Sequence, residues 1–296
     1  MTSDMTSDMT IDMTSNMTPD ITSDSRLTVH LIGIGLLGPG LADWASAAPL
    51  LREPGVWQRA PTAVPAPQRL PATERRRAGT VVKASIVVAD QALAGSGSAP
   101  ETLPTVFTSS TGDPLNCHLL CEALAAPERM VSPTRFTNSV HNAAAGYWHI
   151  AAASRAASTS LAAFDASFEA GLLEAAVQCQ ATQAPVLLVA CDVPYPEPLH
   201  AIRPVADTFA VALLIAPNEQ ARSRSLQIEL TPEMAATVCA DAGLEDLRVT
   251  IPAARALPLL QILAGDSGQT LVLDGLPGQA MRVTVGAAGV AGAGTP

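Results

Sequence analysis

The chain has 296 residues, of which 48% are hydrophobic and 3% aromatic, and its formal net charge at pH 7 is −10. This acidic balance argues against non-specific binding to nucleic acid, which depends on clustered lysine and arginine. The sequence has neither a run of about 18 apolar residues that could span a membrane nor the basic and apolar regions of a signal peptide, so we expect a cytoplasmic protein.

Residues 1–25 repeat a four-residue theme that begins with Met-Thr-Ser-Asp, and they are mostly polar. Such a segment cannot bury enough apolar surface to offset the entropy of ordering, so we predict a disordered tail. An ordered domain is expected over residues 26–217. Residues 218–296 form a C-terminal extension, and their pattern leaves open whether they fold as an independent lobe or complete the first sheet.

Strands and helices are expected to alternate along the ordered part of the chain. Apolar and β-branched runs predict strands over residues 28–33, 105–109, 186–190, 209–215, 225–230, 271–274 and 281–285. Helical spacing and capping signals predict helices over residues 41–51, 73–93, 115–125, 143–154, 168–180 and 252–263, with another helix start at 231–234. This alternation is typical of a layered α/β domain, and the fully apolar runs 186–190 and 209–215 predict central strands covered on both faces.

Five cysteines are scattered along the chain, at positions 117, 121, 179, 191 and 239. Their scatter is typical of free thiols in a reducing compartment. Cys117 and Cys121 flank His118, but no second pair of ligands follows at the spacing of a zinc finger or ribbon. We therefore expect no metal and no other cofactor.

Gly33-Ile34-Gly35-Leu36-Leu37-Gly38 matches the pattern G-x-G-x-x-G, after a predicted strand and before a predicted helix. In dinucleotide-binding proteins such glycines let the backbone approach a pyrophosphate at a helix N-terminus. The acidic residue of that fingerprint would be Glu53, but Glu53 follows no second strand. A tight strand-to-helix turn is the simpler interpretation, with a dinucleotide site as the alternative.

Two further features have both a chemical and a structural interpretation. The turn at residues 109–113 is built from small residues and admits close backbone approach, either for packing or for a ligand. His141 precedes a predicted helix and is either a general base or a structural residue. Asn142 could cap that helix, which is sufficient reason for an asparagine there.

Three segments in combination resemble one family. They are NSVHNAAAGYW (138–148), FEAGLLEA (168–175) and RPVADTFA (203–210), with support from residues 33–38 and 70–78. They resemble the β-ketoacyl synthase-like chain length factors of bacterial aryl polyene and related type II polyketide clusters. The resemblance covers about residues 27–217. It implies a thiolase-like α/β fold, mostly its first βαβαβ half, with a short divergent C-terminal region.

The resemblance also implies that catalysis has been lost. In complete synthases a cysteine begins a buried helix whose N-terminus lowers the pKa of the thiol, and two histidines from the second half assist. The matching elbow falls within residues 163–167, where AFDAS contains no cysteine, and no histidine follows residue 217. We therefore expect a catalytically silent subunit that forms a heterodimer with an active β-ketoacyl-acyl carrier protein synthase. It would meet acyl carrier protein through that complex, in polyketide or fatty acid-like biosynthesis.

Five positions are expected, by the same resemblance, to line the acyl tunnel or the dimer interface. Thr111 matches a tunnel-lining position, and Phe136 is the aromatic that reaches towards the partner's acyl channel. Asn142 ends the interface segment that begins at residue 132. Phe164 would fill the empty nucleophile pocket, and Phe209 matches the gating phenylalanine of complete synthases.

Two alternatives from other functional classes remain. One is an active acyltransferase that uses Ser167 or the displaced Cys179, although Ser167 lacks the flanking glycines of a nucleophile elbow. The other is a Rossmann-type protein that binds a dinucleotide at Gly33–Gly38.

Overall fold

A computed structural model describes residues 26–288 of the chain. The tail predicted over residues 1–25 lies outside the described residues, as do residues 289–296. Eight strands are present in the described part: β1 (Arg26–Leu37), β2 (Thr105–Thr108), β3 (Ser158–Leu161), β4 (Val186–Asp192), β5 (Phe209–Ala216), β6 (Arg224–Pro232), β7 (Gln269–Asp274) and β8 (Gln279–Val285).

Ten α-helices are found in the same part of the chain: α1 (Trp44–Arg52), α2 (Ala72–Arg77), α3 (Thr80–Leu93), α4 (Pro114–Ala125), α5 (Pro133–Thr137), α6 (Ala143–Ala152), α7 (Ser167–Thr182), α8 (Leu199–Ile202), α9 (Ala242–Thr250) and α10 (Leu257–Ala264). Two short 3₁₀ segments, Phe164–Ala166 and Pro252–Ala256, precede α7 and α10. Elements of both types alternate along the chain, which confirms the predicted α/β class.

The strands form one mixed sheet in the order β3-β2-β4-β5-β1-β6-β8-β7. Strand β2 runs parallel to both β3 and β4, whereas the other neighbouring strands pair antiparallel. Every residue of β4 and β5 is buried. These two strands were predicted to be central and covered on both faces, and the structure confirms this.

Helices cover both faces of the sheet and define two apolar cores. In β4, Leu187 and Val189 pack in a core formed with α3 and α6. Their neighbour Leu188 points to the opposite face and packs with α7, α10 and the 3₁₀ segment Pro252–Ala256. Because side chains alternate across a strand, β4 contributes to both cores and places its carboxyl end between them.

The prediction of a turn at Gly33–Gly38 is wrong, because β1 continues through Leu37. A Cβ atom on Gly33 would lie 2.0 Å from the carbonyl oxygen of Ala92, and one on Gly35 would lie 1.9 Å from that of Val88. Both carbonyls belong to α3, which packs directly on the strand. The glycines therefore allow α3 to pack closely on β1. A dinucleotide site would instead need a turn at this position, with a pyrophosphate against its backbone.

The helix predicted over residues 73–93 is divided into α2 and α3 at Ala78 and Gly79. Ala78 has an extended backbone, and Gly79 is the N-cap residue of α3. Helix α2 buries none of its residues, so tertiary packing does not hold it in line with α3. Its run Arg75-Arg76-Arg77 is carried by this short surface helix.

Residues after 218 extend the same sheet. Strand β6 pairs with β1 from Arg26↔Glu229 to Leu31↔Arg224, and β8 and β7 follow. The helix start predicted at residues 231–234 is wrong, because β6 runs through Pro232. Helix α9 was not predicted from the sequence, yet the Asp241 carboxylate caps it by accepting hydrogen bonds from two backbone N–H groups.

No helix in the described residues is long and apolar enough to cross a bilayer.

Candidate functional site

The chain turns sharply at residues 163–167, the segment that we call the elbow, between the end of β3 and the start of α7. Phe164 has a φ of +54°, in the left-handed region that residues with a Cβ atom seldom adopt. The Ser167 hydroxyl accepts a hydrogen bond from the Ala163 N–H at 3.0 Å and donates one to the Phe164 carbonyl oxygen at 2.7 Å. These bonds stabilise the turn and place Phe164 just before the N-terminus of α7.

Ionic groups surround the elbow. The Arg203 guanidinium stacks 3.6 Å from the centroid of the Phe164 ring, and its Nη2 atom lies 2.6 Å from an Asp165 carboxylate oxygen. Arg255 lies 3.5 Å from the other Asp165 oxygen and 3.4 Å from Asp274. Phe164, Asp165, Arg255 and Asp274 line a cavity of about 510 Å³. The arginines and aspartates neutralise one another within the chain.

Phe164 was predicted to fill an empty nucleophile pocket. Its ring lines the elbow cavity and is 66% exposed in the single chain. Its contact with Arg203 is a cation–π interaction, in which the guanidinium covers one face of the ring. The role assigned to this ring remains a prediction.

Four cysteine thiols, those of Cys117, Cys179, Cys191 and Cys239, have surroundings that raise their pKa. Cys179 is buried near the far end of α7, and burial raises the pKa of its thiol to about 11. Burial also raises the pKa of Cys239 to about 12 and raises the pKa of Cys191. On α4, burial and the neighbouring Cys121 raise the pKa of Cys117. None of these shifts favours a nucleophile, because the reactive form is the thiolate.

A buried carboxyl group lies in the first turn of α7. Glu169 is 2% exposed, and neither of its carboxylate oxygens has a hydrogen-bond partner. Burial raises the pKa of Glu169 to about 8, although Arg255 and Arg248 oppose the shift. The raised pKa favours the protonated form of Glu169 at neutral pH. Sequence reasoning missed this group, because a glutamate in the first turn of a helix usually faces solvent.

The second candidate region is the β2–α4 turn, residues 109–113. Thr111 is exposed at its tip. The His141 Nε2 atom lies 3.0 Å from the Ser109 carbonyl oxygen. This hydrogen bond gives His141 a structural role and holds the turn beside the segment that leads into α6. The predicted positions Thr111 and Asn142 therefore lie on neighbouring segments.

Phe136 and Asn142 lie on the surface next to this turn. Phe136 is on α5 and is 69% exposed. The Asn116 side-chain amide donates a hydrogen bond of 2.8 Å to the Arg135 carbonyl oxygen, which joins α4 to α5. Asn142 occupies the N-cap position of α6, but its side chain makes no capping hydrogen bond, so the structure does not support the capping role.

Phe209 lies apart from both regions. It is the first residue of β5, is fully buried and pairs with Asp192 of β4. A Cβ atom on Gly38 would lie 2.6 Å from the Phe209 ring, so the two residues are closely packed. In this chain Phe209 has a core environment, and its gating role remains a prediction.

Comparison with known proteins places the fold. Residues 48–258 match the family model described as beta-ketoacyl synthase, N-terminal domain. The chain is similar to a structure of the ketosynthase ApeO in complex with its chain length factor ApeC from Xenorhabdus doucetiae, with 22% identity and a TM-score of 0.68 over 87% of this chain and 99% of that one. No curated protein matches the sequence.

Two other solved structures show the same fold. One is the ishigamide ketosynthase/chain length factor, with 14% identity and a TM-score of 0.66 over 89% of this chain and 100% of that chain. The other is AntDE:AntF, a type II polyketide synthase acyl carrier protein in complex with its ketosynthase, with 13% identity and a TM-score of 0.68 over 88% and 99%. The predicted thiolase-like fold, at about half the size of a complete synthase, is confirmed.

Proposed function

We propose that this chain, which belongs to the β-ketoacyl synthase N-terminal domain family, is a catalytically silent chain length factor. In this proposal it pairs with an active ketosynthase and sets the depth of the acyl tunnel between the two subunits. The observation that carries the proposal is the elbow, where Phe164 occupies the strained position before α7 and residues 163–167 contain no cysteine.

The groups around the elbow do not supply an alternative nucleophile. Ser167 is 1% exposed, and its hydroxyl is hydrogen-bonded to the Ala163 N–H and the Phe164 carbonyl oxygen. These bonds stabilise the turn. A nucleophilic serine needs an adjacent base that accepts its proton, and Ser167 donates to a backbone carbonyl. Cys179 is buried with a raised pKa near the opposite end of the helix. Both observations argue against the acyltransferase alternative.

The surface around the β2–α4 turn supports a partner subunit. Strand β3 is at one edge of the sheet, and among the described residues it pairs only with β2. On α5, on α6 and between these two helices, the apolar side chains of Phe136, Val140 and Ile150 are each more than half exposed. Unpaired strand edges and clustered exposed apolar side chains are features of protein interfaces. They are complementary to a second subunit that adds a strand to β3 and covers the aromatic ring.

The mechanism that follows is steric. A partner's growing acyl chain would extend across the interface until it meets the β2–α4 turn and its neighbours. A bulky or rigid wall at that depth stops elongation by excluding further methylene groups. Thr111, at the tip of the turn, and Phe136, beside it, are the side chains that this proposal places at the end of the tunnel.

The test is a reconstitution with an active ketosynthase as the proposed partner. We expect the chain alone to form no acyl thioester on incubation with malonyl- and acyl-loaded acyl carrier protein, as read by intact-protein mass spectrometry. With the ketosynthase, we expect a 1:1 complex by size-exclusion light scattering and product formation that disappears when the partner's cysteine is replaced by alanine. An acyl adduct on this chain, or condensation that survives the partner's cysteine replacement, would refute catalytic silence.

A further inference from the structure

Asp192, the last residue of β4, connects three parts of the chain. It is 2% exposed and accepts four hydrogen bonds. One oxygen accepts from the Ser110 N–H at 2.8 Å, the Ser110 hydroxyl at 2.7 Å and the Ser109 hydroxyl at 3.2 Å. The other accepts from the Ala253 N–H at 2.9 Å. The β2–α4 turn and the 3₁₀ segment before α10 are thus joined through one carboxyl group.

The chemistry of this junction requires a carboxylate. Each oxygen faces a backbone N–H, that of Ser110 on one side and that of Ala253 on the other. A backbone N–H cannot reverse its role. An asparagine at position 192 would place its amide nitrogen, which is also a donor, opposite one of these groups in either orientation. Only a side chain with two acceptor oxygens satisfies both parts of the chain.

Burial of the Asp192 carboxylate lowers the stability of the fold. Burial raises the pKa of Asp192, and the groups that oppose the rise are the neutral donors of Ser109, Ser110 and Ala253. A buried ionised group without an opposite charge is costly, and apolar packing stabilises a core at least as well. A carboxylate at this position is therefore better explained by the geometry that it fixes than by its stability.

That geometry links the two candidate regions. The 3₁₀ segment Pro252–Ala256 presents Ala253 to Asp192 and, two residues later, Arg255 to the elbow residue Asp165 at 3.5 Å. The same segment packs on α7 and on the 3₁₀ turn of the elbow. Movement of the β2–α4 turn away from the sheet would require the Asp192 hydrogen bonds to break.

We propose that Asp192 is a positioning residue that fixes the β2–α4 turn relative to the sheet and the elbow, and thereby sets the length of the product. This inference rests on the proposed function, since it assumes that the turn ends the partner's tunnel. Asp192 acts through the turn and does not itself contact the acyl chain. By holding Ser109 and Ser110, Asp192 limits the movement of Thr111 at the tip of the turn.

The experiment compares Asp192→Asn with the wild-type chain in the reconstituted complex. We expect Asp192→Asn to form the same 1:1 complex, while the turn becomes free to retreat. The share of the main product, measured by liquid chromatography and mass spectrometry, should fall at least threefold in favour of longer chains. Asp246→Asn, the same chemical change at an exposed salt bridge to Arg59, is the matched control and should leave the distribution unchanged.

Two further variants keep the test decisive. If Asp192→Asn fails to fold, Ser110→Ala removes one hydrogen bond from the turn side alone and should shift the products in the same direction. Thr111→Trp tests the proposed function separately and should shorten the products. Shorter products from Thr111→Trp, together with wild-type products from a folded Asp192→Asn or from Ser110→Ala, would overturn the positioning role alone. No change with any of the three would overturn the steric function itself.

Discussion

The elbow and the β2–α4 turn are the two regions where this chain departs from plain core packing, and they differ in how their polar and apolar groups are satisfied. At the elbow, Arg203 and Arg255 are paired with Asp165 and Asp274, and one guanidinium covers the Phe164 ring. Beside the turn, the Phe136 ring on α5 is 69% exposed.

This difference separates what the chain completes by itself from what it leaves for a partner. The arginine and aspartate side chains at the elbow find their opposite charges within the chain. The apolar side chains near the turn remain largely exposed to solvent in the single chain. A subunit that has lost its reaction but kept its place in a complex would be expected to show this pattern.

The largest effect is expected at Glu169, beneath the elbow. A folded-state pKa of about 8, against about 4.3 in the unfolded chain, means that the folded state keeps a proton that the unfolded state has released. The contribution of this proton to the free energy of unfolding is complete below pH 4. It is lost as pH rises towards 8, at about 1.4 kcal/mol per pH unit. Glu169→Gln, which cannot ionise, should remove this loss and unfold at higher urea than wild type at pH 8.

The measurement is urea unfolding of both proteins at pH 5, 6.5 and 8. The two should be close at pH 5 and diverge by about 4 kcal/mol at pH 8. Glu101→Gln, an identical change at an exposed loop position, is the control and should parallel the wild type. Parallel pH profiles for Glu169→Gln and wild type would mean that Glu169 is ionised in the folded protein.

The next effect concerns the surface that lacks internal cover. Phe136→Asp places a charge where the proposed partner covers an aromatic ring, and central interface aromatics contribute about 2–4 kcal/mol. The dissociation constant for the ketosynthase should therefore rise about 100-fold, as measured by biolayer interferometry. Ile202→Asp is the matched control, because Ile202 is 82% exposed but lies next to Arg203 on the elbow side. Equal loss of affinity in both variants would show that the apolar surface around Phe136 is not the interface.

The contrast between the regions also explains what the sequence could predict. Strands β4 and β5 are continuous apolar runs with one physical interpretation, so they were predicted correctly. The Gly33–Gly38 pattern has two physical interpretations, the close approach of a ligand and the close approach of a helix. Only the positions of Val88 and Ala92 distinguish them. Helix α9 was missed because charged residues alternate with its few apolar ones.

The candidate site shows the same limit more sharply. The missing cysteine at residues 163–167 is a local feature and can be read directly from the sequence. The Asp192 junction joins partners that are 82 and 61 positions away in sequence, and no local pattern signals it. Glu169 is similar, because its unusual pKa comes from burial by segments that are distant in the chain.

The smallest effect is expected when a thiol is returned to the elbow. Phe164→Cys places a cysteine before the N-terminus of α7 and near Arg203, and both the helix dipole and the cation favour the thiolate. Its alkylation by iodoacetamide at pH 7 should be about 10-fold faster than that of a free thiol in an unfolded peptide, a difference of about 1.4 kcal/mol. Condensation should still be absent, because no histidine follows residue 217 to assist decarboxylation. Condensing activity in Phe164→Cys would show that the chain lost a single residue and kept the rest of the machinery. A reactive but non-condensing thiol would instead place the loss in both halves of the reaction, with the partner-facing surface as the part that still functions.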